Sequence, residues 1–271
     1  MINSGPLQIA VQAARKAGDI IRRSIAQSEG TRIQEKGRFD YVSEIDQHCE
    51  QVIIDTIRHA FPHDHIIAEE GGSNTSDRVD DTHTWVIDPL DGTSNFLHQI
   101  NHVAVSIALQ INGRTEEAVV YDPLREELFT AKRGRGAYLN NRRLRVTPRV
   151  NLEGALLATG FPFRKRRHLD AYLAMFKDFF EQIEDMRRCG SAALDLAYVA
   201  SGRYDGYWEI GLKPWDLAAG ALLVREAGGG VVDFAGGEKY EHSGNIIAAS
   251  FKLVPPMLKI IQQHATAGLR S

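Results

Sequence analysis

Two cysteines in 271 residues, Cys49 and Cys189, are too few and too far apart for a disulfide framework. Neither sits in a CxxC pair or a Cys/His run with ligand spacing, so the linear pattern offers no zinc motif and fits a reducing cytoplasm. No apolar run approaches bilayer-spanning length, and MINSGPLQIAVQAARKAGDII lacks the basic start, apolar stretch and cleavage site of a secretion signal. The expectation is a soluble, unexported, cytoplasmic chain with no membrane partner. A formal net charge of -3, with 25% charged and 43% hydrophobic residues, excludes a global attraction to nucleic acid or anionic lipid and leaves local basic patches open. A Gly/Ser/Pro-rich linker, a low-complexity tract and a fixed-period repeat are also absent, which argues against independent beads and solenoids. Without GxSxG, GxGxxG or HExxH, serine-hydrolase, dinucleotide and zincin chemistry find no support.

What is present fits one integrated unit built from two halves, residues 1–150 and 151–271, each of roughly 100 to 150 residues. From Pro6 to Gln27, Leu7, Val11, Ala14, Ile21 and Ile25 recur with helical period, with Ser4 available as a cap. A second helical pattern, Ile45, Cys49, Val52, Ile53, Ile57 and Ala60, follows Ser43, which has capping-box-like spacing to Asp46, and stops at FPHD. Between them QEKGRFDYVSEID, polar and containing Gly37, reads as a loop or short hairpin with Lys36 and Asp40 near its tip. HIIAEE, TWVIDP, HVAVSIALQI, EEAVVYDP and ELFTAKRG then read as strands. Beyond Val150 the pattern predicts helices over 168–182, 191–200 and 216–227, strands at GGVVDF and NIIAAS, and a last helix from near Pro255.

In WVIDPLDGTSNF, Asp88 and Asp91 follow a greasy stretch that should bury them. On one reading Asp91 caps a turn and Asp88 merely ends a strand. On the other, Gly92, Thr93, Ser94 and Asn95 open a helix whose amides attract an anion, and the acids hold the cations that a bound phosphate needs beside it. Glu69 and Glu70 end another buried strand before two glycines. Asp216 starts an apolar helix after Pro214 and Trp215, where it either caps that helix or turns into a cleft. Such acids, without matching lysines, are costly to bury together unless a metal joins them. His98 and His102, near the motif, fit a structural role better than a ligating one.

AEEGG, DPLDGTSNF and WDLAAGALLVREAGG, in this order and spacing, resemble the inositol monophosphatase family of magnesium-dependent, lithium-sensitive phosphatases, over nearly the whole chain. The resemblance implies an α+β fold, the layered α-β-α-β-α sandwich of the inositol monophosphatase and fructose-1,6-bisphosphatase type, and a homodimer. It implies two to three Mg2+ ions per site. Glu69, Asp88 and the Leu90 carbonyl would hold one, and Asp88, Asp91 and Asp216 a second. Gly92 and Thr93 match the phosphate-binding residues, and the Thr93 hydroxyl, bonded to Asp46 and helped by Glu69, would orient and deprotonate the attacking water. Lys36 matches a basic residue of the family's mobile loop, which here also holds Asp40. Ser43 stands where many relatives carry threonine, a departure that leaves Asp46 in place.

The implied reaction is hydrolysis of a phosphate monoester by in-line attack of metal-activated water, without a phosphoenzyme. MRRCGSAALDLAYVASGRYDGYWEIGLKPWD resembles the family's alcohol-recognition region, putting Gly190, Ser191, Ala192 and Glu209 near the sugar hydroxyls, together with Glu69, Leu90, Asp91 and Asp216. Glu209 can accept two vicinal hydroxyls, which favours a polyol such as inositol; DGTSNF and WEIG resemble the inositol branch more than fructose-1,6-bisphosphatases or nucleotide bisphosphatases, while histidinol phosphate stays open as an alternative substrate. RRCGSAALDLAYVASG looks most like the bacterial branch, in which Arg187 would lie close to the substrate. Some members of that branch act in ribosomal RNA transcription antitermination without using catalysis. The basic stretches KRGRGAYLNNRRLRVTPR and FRKRRH are candidate surfaces for such factors or for RNA, against the plainer reading of solvated faces.

Overall fold

The computed structural model describes residues 5–27, 33–35, 41–71 and 80–270. Ser4, Lys36, Gly37 and Asp40, and the side chain of Ser43, lie outside the described residues. Helix α1 (Pro6–Gln27) starts with proline in its first turn, where the missing N–H has no partner to lose. Its Ile9, Ala13, Ala17 and Ile21 stripe is buried. Strands β1 (Ile33–Glu35) and β2 (Tyr41–Ser43) pair antiparallel, with Ile33 opposite Ser43, which resolves the loop-or-hairpin alternative towards a paired ladder. Helix α2 (Glu44–Ala60) buries Cys49, Ile53 and Ile57.

A seven-stranded sheet follows in chain order: β3 (Asp64–Ala68), β4 (Asp80–Asp91), β5 (Ala104–Ile111), β6 (Arg114–Asp122), β7 (Glu127–Lys132), β8 (Gly136–Leu139) and β9 (Arg142–Arg143). Only β3 and β4 run parallel; the remaining neighbours are antiparallel. Because strand side chains alternate faces, Trp85 and Ile87 pack with α1 and α2, while Val86 faces the opposite way. The short helix α3 (Thr93–Leu97) leaves the end of β4.

The second half supplies β10 (Leu156–Thr159), a 3-10 turn over Phe163–His168, α4 (Leu169–Phe180), β11 (Asp185–Arg187), α5 (Ala192–Ala200), β12 (Gly206–Glu209), α6 (Pro214–Glu226), β13 (Gly229–Val232), α7 (Tyr240–Ser243), β14 (Ile246–Ser250), α8 (Val254–His264) and α9 (Ala267–Arg270). Its five strands order as β11-β10-β12-β14-β13. The same alternation divides this sheet's faces. Leu157, Trp208 and Ile247 pack with α4 and α8, whereas Ala158, Tyr207 and Ala248 join α5 and α6.

Three apolar clusters therefore define five layers: α1/α2, the large sheet, α5/α6, the second sheet, and α4/α8. This is the α+β sandwich expected from the resemblance. The all-apolar character of LAAGALLV now has a cause, because α6 lies between two sheets and is buried from Leu217 to Val224. At Gly220 a Cβ would stand 2.5 Å from the Leu196 Cβ, so the close approach of α5 and α6 requires glycine there. The expected boundary near residue 150 falls between the two sheets, yet α5 and α6 of the second half form one core with the first sheet.

Candidate active site

Asp88 and Asp91 are three residues apart, and on a regular strand they would face opposite sides. The β4–β5 ladder resolves this: Asp88 is opposite Ser106 and Asp91 opposite Ala104, so the Pro89-Leu90 stretch carries one extra residue as a bulge. Ser106 and Ala104 share a face, and both acids consequently turn towards α6. Ser106 fixes that contact by donating to the Trp215 carbonyl at 3.2 Å. The carboxylates of Asp88, Asp91 and Asp216 converge, each offering an oxygen within 4.8 Å of the others, and all three residues are buried.

Each acid is held by local chemistry that leaves oxygen capacity over. Asp88 Oδ1 accepts from the Leu90 amide at 3.0 Å. Asp91 Oδ2 accepts from the Ser191 hydroxyl at 2.6 Å and the Ala193 amide at 2.7 Å, at the start of α5. Ser191 Oγ also caps α5, accepting from the Leu194 amide at 3.3 Å. Asp216 Oδ2 accepts from the Lys213 amide at 2.6 Å, reaching back from the first turn of α6 to satisfy the residue before it. The two alternatives left open for Asp216 are thus both realised: it caps α6 and faces the other acids.

These groups open on a cavity of about 650 Å³ lined by Glu69, Glu70, Asp88, Leu90, Asp91, Gly92, Thr93, Gly190, Ser191, Ala192, Glu209 and Asp216, among others. Gly92, at φ +98°, occupies the left-handed region that glycine favours, and it turns the chain from β4 into α3. The Thr93 hydroxyl, expected to bond Asp46, donates here to the Leu90 carbonyl at 3.1 Å. Asp46 is buried on α2, and its charge reaches Asp88. Glu209 accepts a hydrogen bond from the Tyr207 hydroxyl.

Burial first, and then mutual repulsion, pushes the carboxyls up. Glu69 rises to about 8, by burial and then Asp216, against the opposing effect of Arg164. Asp91 rises to about 7, by burial and then Asp216, opposed by the Ser191 and Ala193 hydrogen bonds. Glu209 also rises to about 7, chiefly by burial, and Asp88 stands well above the usual carboxylate range. Arg164 is a positive neighbour, 3.5 Å from Glu69 and 3.8 Å from Asp216. Four basic side chains, Arg164, Lys165, Arg188 and Lys213, stand against seven acids on the cavity wall, which leaves a deficit of positive charge, and an all-oxygen donor set suits a hard divalent cation. Glu69, Asp88, the Leu90 carbonyl, Asp91 and Asp216 could hold such ions.

Arg187 does not join this group. Its exposed guanidinium pairs with Asp185, and its neighbour Arg188 lines the cavity, with its guanidinium 5.1 Å from the Phe161 ring centroid. Adjacent residues of a strand end point to opposite sides, so a one-residue shift in attribution exchanges outside for inside. Sequence reasoning also missed Arg164, hidden in the run FRKRRH, and Asp195, fully buried in α5 and lining the cavity. An acid inside the otherwise apolar AALDLAYVA was a legible signal.

Gly160 abuts Glu209 so closely that a Cβ there would overlap its carboxylate. Gly160→Ala should displace Glu209 at a stability cost of about 1–3 kcal/mol. A thermal melt would register that loss, and substrate kinetics would show KM rising more than kcat falls.

An acidic cavity between two sheets, at the end of a bulged strand and the starts of α5 and α6, defines a class of layered α+β proteins suited to binding cations. The model of the inositol monophosphatase family matches residues 4–267, and the chain belongs to that family. It is 51% identical over 264 residues to Nus factor SuhB of Escherichia coli strain K12, covering 97% of this chain and 98% of that one. Extragenic suppressor protein suhB from Bartonella henselae superposes with a TM-score of 0.92 at 41% identity, covering 97% of this chain and 100% of that one. Inositol monophosphatase from Anabaena (Nostoc) sp. PCC 7120 superposes with a TM-score of 0.84 at 37% identity, covering 96% of each.

Proposed function

We propose that the chain is a Mg2+-dependent phosphate monoester hydrolase that releases myo-inositol and phosphate from inositol 1-phosphate. The observation that carries this reading is the convergence of three buried carboxylates, Asp88, Asp91 and Asp216, on a polar cavity. Magnesium held by these oxygens would polarise the phosphoryl oxygens and lower the pKa of bound water. Glu69, on the cavity wall, takes the proton of the attacking water. The Thr93 hydroxyl donates its hydrogen bond to the Leu90 carbonyl, so its oxygen lone pairs remain to accept from and orient that water. Gly92 and Thr93 flank the phosphate, while Gly190, Ser191, Ala192 and Glu209 form the wall that receives the alcohol. Glu209, already anchored by Tyr207, can accept vicinal hydroxyls. Arg188, rather than Arg187, is the arginine of this pair that contacts substrate.

The test is phosphate release from inositol 1-phosphate, fructose 1,6-bisphosphate, histidinol phosphate and adenosine 3',5'-bisphosphate, with magnesium titrated and lithium added. Inositol 1-phosphate should be the preferred substrate, and release should be abolished by chelation. Preference for another ester moves the reading to that substrate, and no magnesium-dependent release from any of them overturns it.

A second reading is favoured by the name of the 51% identical relative, Nus factor SuhB: the chain also binds transcription antitermination factors or RNA, in the cytoplasm. Exposed Arg135, Arg142, Arg143 and Arg145 offer a surface for it. Recovery of no transcription factor from lysate on the immobilised chain, with and without RNA, contradicts this reading. Self-association as a homodimer is supported by exposed Leu169, Leu173 and Phe180 on one helix, with Phe161 also exposed. Light scattering should give twice 30.2 kDa, reduced to the single-chain mass by Leu173→Glu.

A further inference from the structure

The linear spacing argues against a zinc motif, yet the fold assembles ligands of the right kind from three separate places. His102 precedes β5, Cys189 follows β11, and Asp195 lies within α5. Each offers one ligand atom within 4.8 Å of the others. None of the three has a part in the hydrolysis proposed above. We infer that His102, Cys189 and Asp195 form a second cation site, behind the acidic cavity and selective for a thiolate-accepting transition metal such as zinc.

Unpartnered atoms point to this ligand independently of the clustering. Among the described residues, His102 Nε2 and Asp195 Oδ1 are buried with no hydrogen-bond partner. His102 is 7% exposed and Asp195 1%. Buried polar atoms are ordinarily satisfied, and leaving one unpaired on each of two clustered residues is costly unless something else satisfies them.

The surroundings hold the ligands in place. Asn95 Nδ2 donates to the carbonyls of His102 at 2.8 Å and Cys189 at 2.9 Å, tying two of the three backbones together. The edge of the His102 ring meets Tyr198, with centroids 5.9 Å apart. With Zn–N near 2.1 Å and Zn–S near 2.3 Å, tetrahedral ligand atoms stand roughly 3.3–3.8 Å apart, so rotamer adjustments of about 1 Å close the site. Tyr204 Oη, 3.5 Å from Cys189 Sγ, stands beside the fourth position, which otherwise falls to water. Imidazole, thiolate and one carboxylate favour zinc over magnesium, which demands oxygen. The acidic cavity has the opposite preference, so the two sites divide the metals between them. Asp195 lines that cavity and Cys189 is only half-buried, which gives an ion a way in. The charge of Arg188 reaches Asp195 and opposes a cation, but its guanidinium stacks over Phe161.

Cobalt(II) titrated into the reduced full-length chain, with excess magnesium filling the oxygen sites, reads out the thiolate directly. The expected result is a thiolate-to-cobalt charge-transfer band that saturates at one equivalent and is displaced by zinc. Cys189→Ser should abolish the band while leaving the thermal melt and magnesium-dependent phosphate release unchanged. His102→Gln should weaken cobalt binding at least about 100-fold. Cys49→Ser should leave the band intact, since Cys49 is buried against α1, donating to the Ala17 carbonyl. Absence of the band in the wild-type chain, its survival in Cys189→Ser, or its loss in Cys49→Ser overturns the inference.

Discussion

Asp91→Asn is expected to abolish magnesium-dependent phosphate release, by at least about 10³-fold in kcat/KM, in a chain that still folds. The Ala193 amide and the Ser191 hydroxyl both point at Asp91 Oδ2. The amide is fixed in the first turn of α5 and cannot become an acceptor, so the asparagine carbonyl must take that position. Its NH2 group then faces the cavity, where the aspartate offered an oxygen. A cation loses one ligand and meets a donor instead. Each tenfold in rate corresponds to about 1.4 kcal/mol, and loss of several kcal/mol of Lewis-acid stabilisation accounts for the size of the effect. The fold should survive because the substitution removes a charge that Asp216 and burial both disfavour. A metal-free Asp91→Asn chain therefore melts no lower than wild type at pH 8. Circular dichroism measures that melt, and a phosphate assay measures the activity.

The second large effect is a pH dependence that magnesium reverses. Without a cation, Glu69 titrates near 8, and Asp91 and Glu209 near 7, all far above an unfolded carboxyl. From about pH 4 upwards the unfolded chain has released protons that the folded chain still holds. Stability consequently falls as pH rises, by about 1.4 kcal/mol per unit for each such proton. The contribution is fully present below the unfolded pKa and is lost as pH passes through 7 to 8. Because the acids share one field, their losses do not add, and the total is on the order of several kcal/mol. Magnesium binds the deprotonated cluster of the folded chain, so it restores stability by mass action and does so more at pH 8 than at pH 6. Melting curves at both values, with and without magnesium, should show this widening gap. A gap independent of pH would contradict the charge assignment.

The large elements were legible because burial imposes period. The 3.6-residue recurrence in α1 and α2 follows from one buried face each, and β4 to β6 read as short apolar runs because the large sheet is covered on both faces. The five-layer arrangement came from the family resemblance, which periodicity alone could not replace. Strands β10, β11 and β12 went unread because three or four residues carry too little pattern, and Asp185–Arg187 is charged at both ends. The bulge at Pro89-Leu90 is a ladder property, visible only once β5 stands beside β4. Arg164 and Glu69 meet across 95 positions of chain, and the pattern of FRKRRH resembles any solvated basic run. The exchange of Arg187 for Arg188 has the same origin, since strand parity cannot be read where the strand itself is not recognised. Cys189 was set aside for want of local ligand spacing and His102 as a structural imidazole, although metal ligands need only spatial proximity.

The account rests on cation binding by the acidic cluster, and the most direct test is diffraction. Crystals grown with Mn2+ in place of Mg2+ should give an anomalous difference peak at bonding distance from Asp88, Asp91 and Asp216, absent in Asp91→Asn. A manganese-saturated crystal with no peak among these three carboxylates would contradict it.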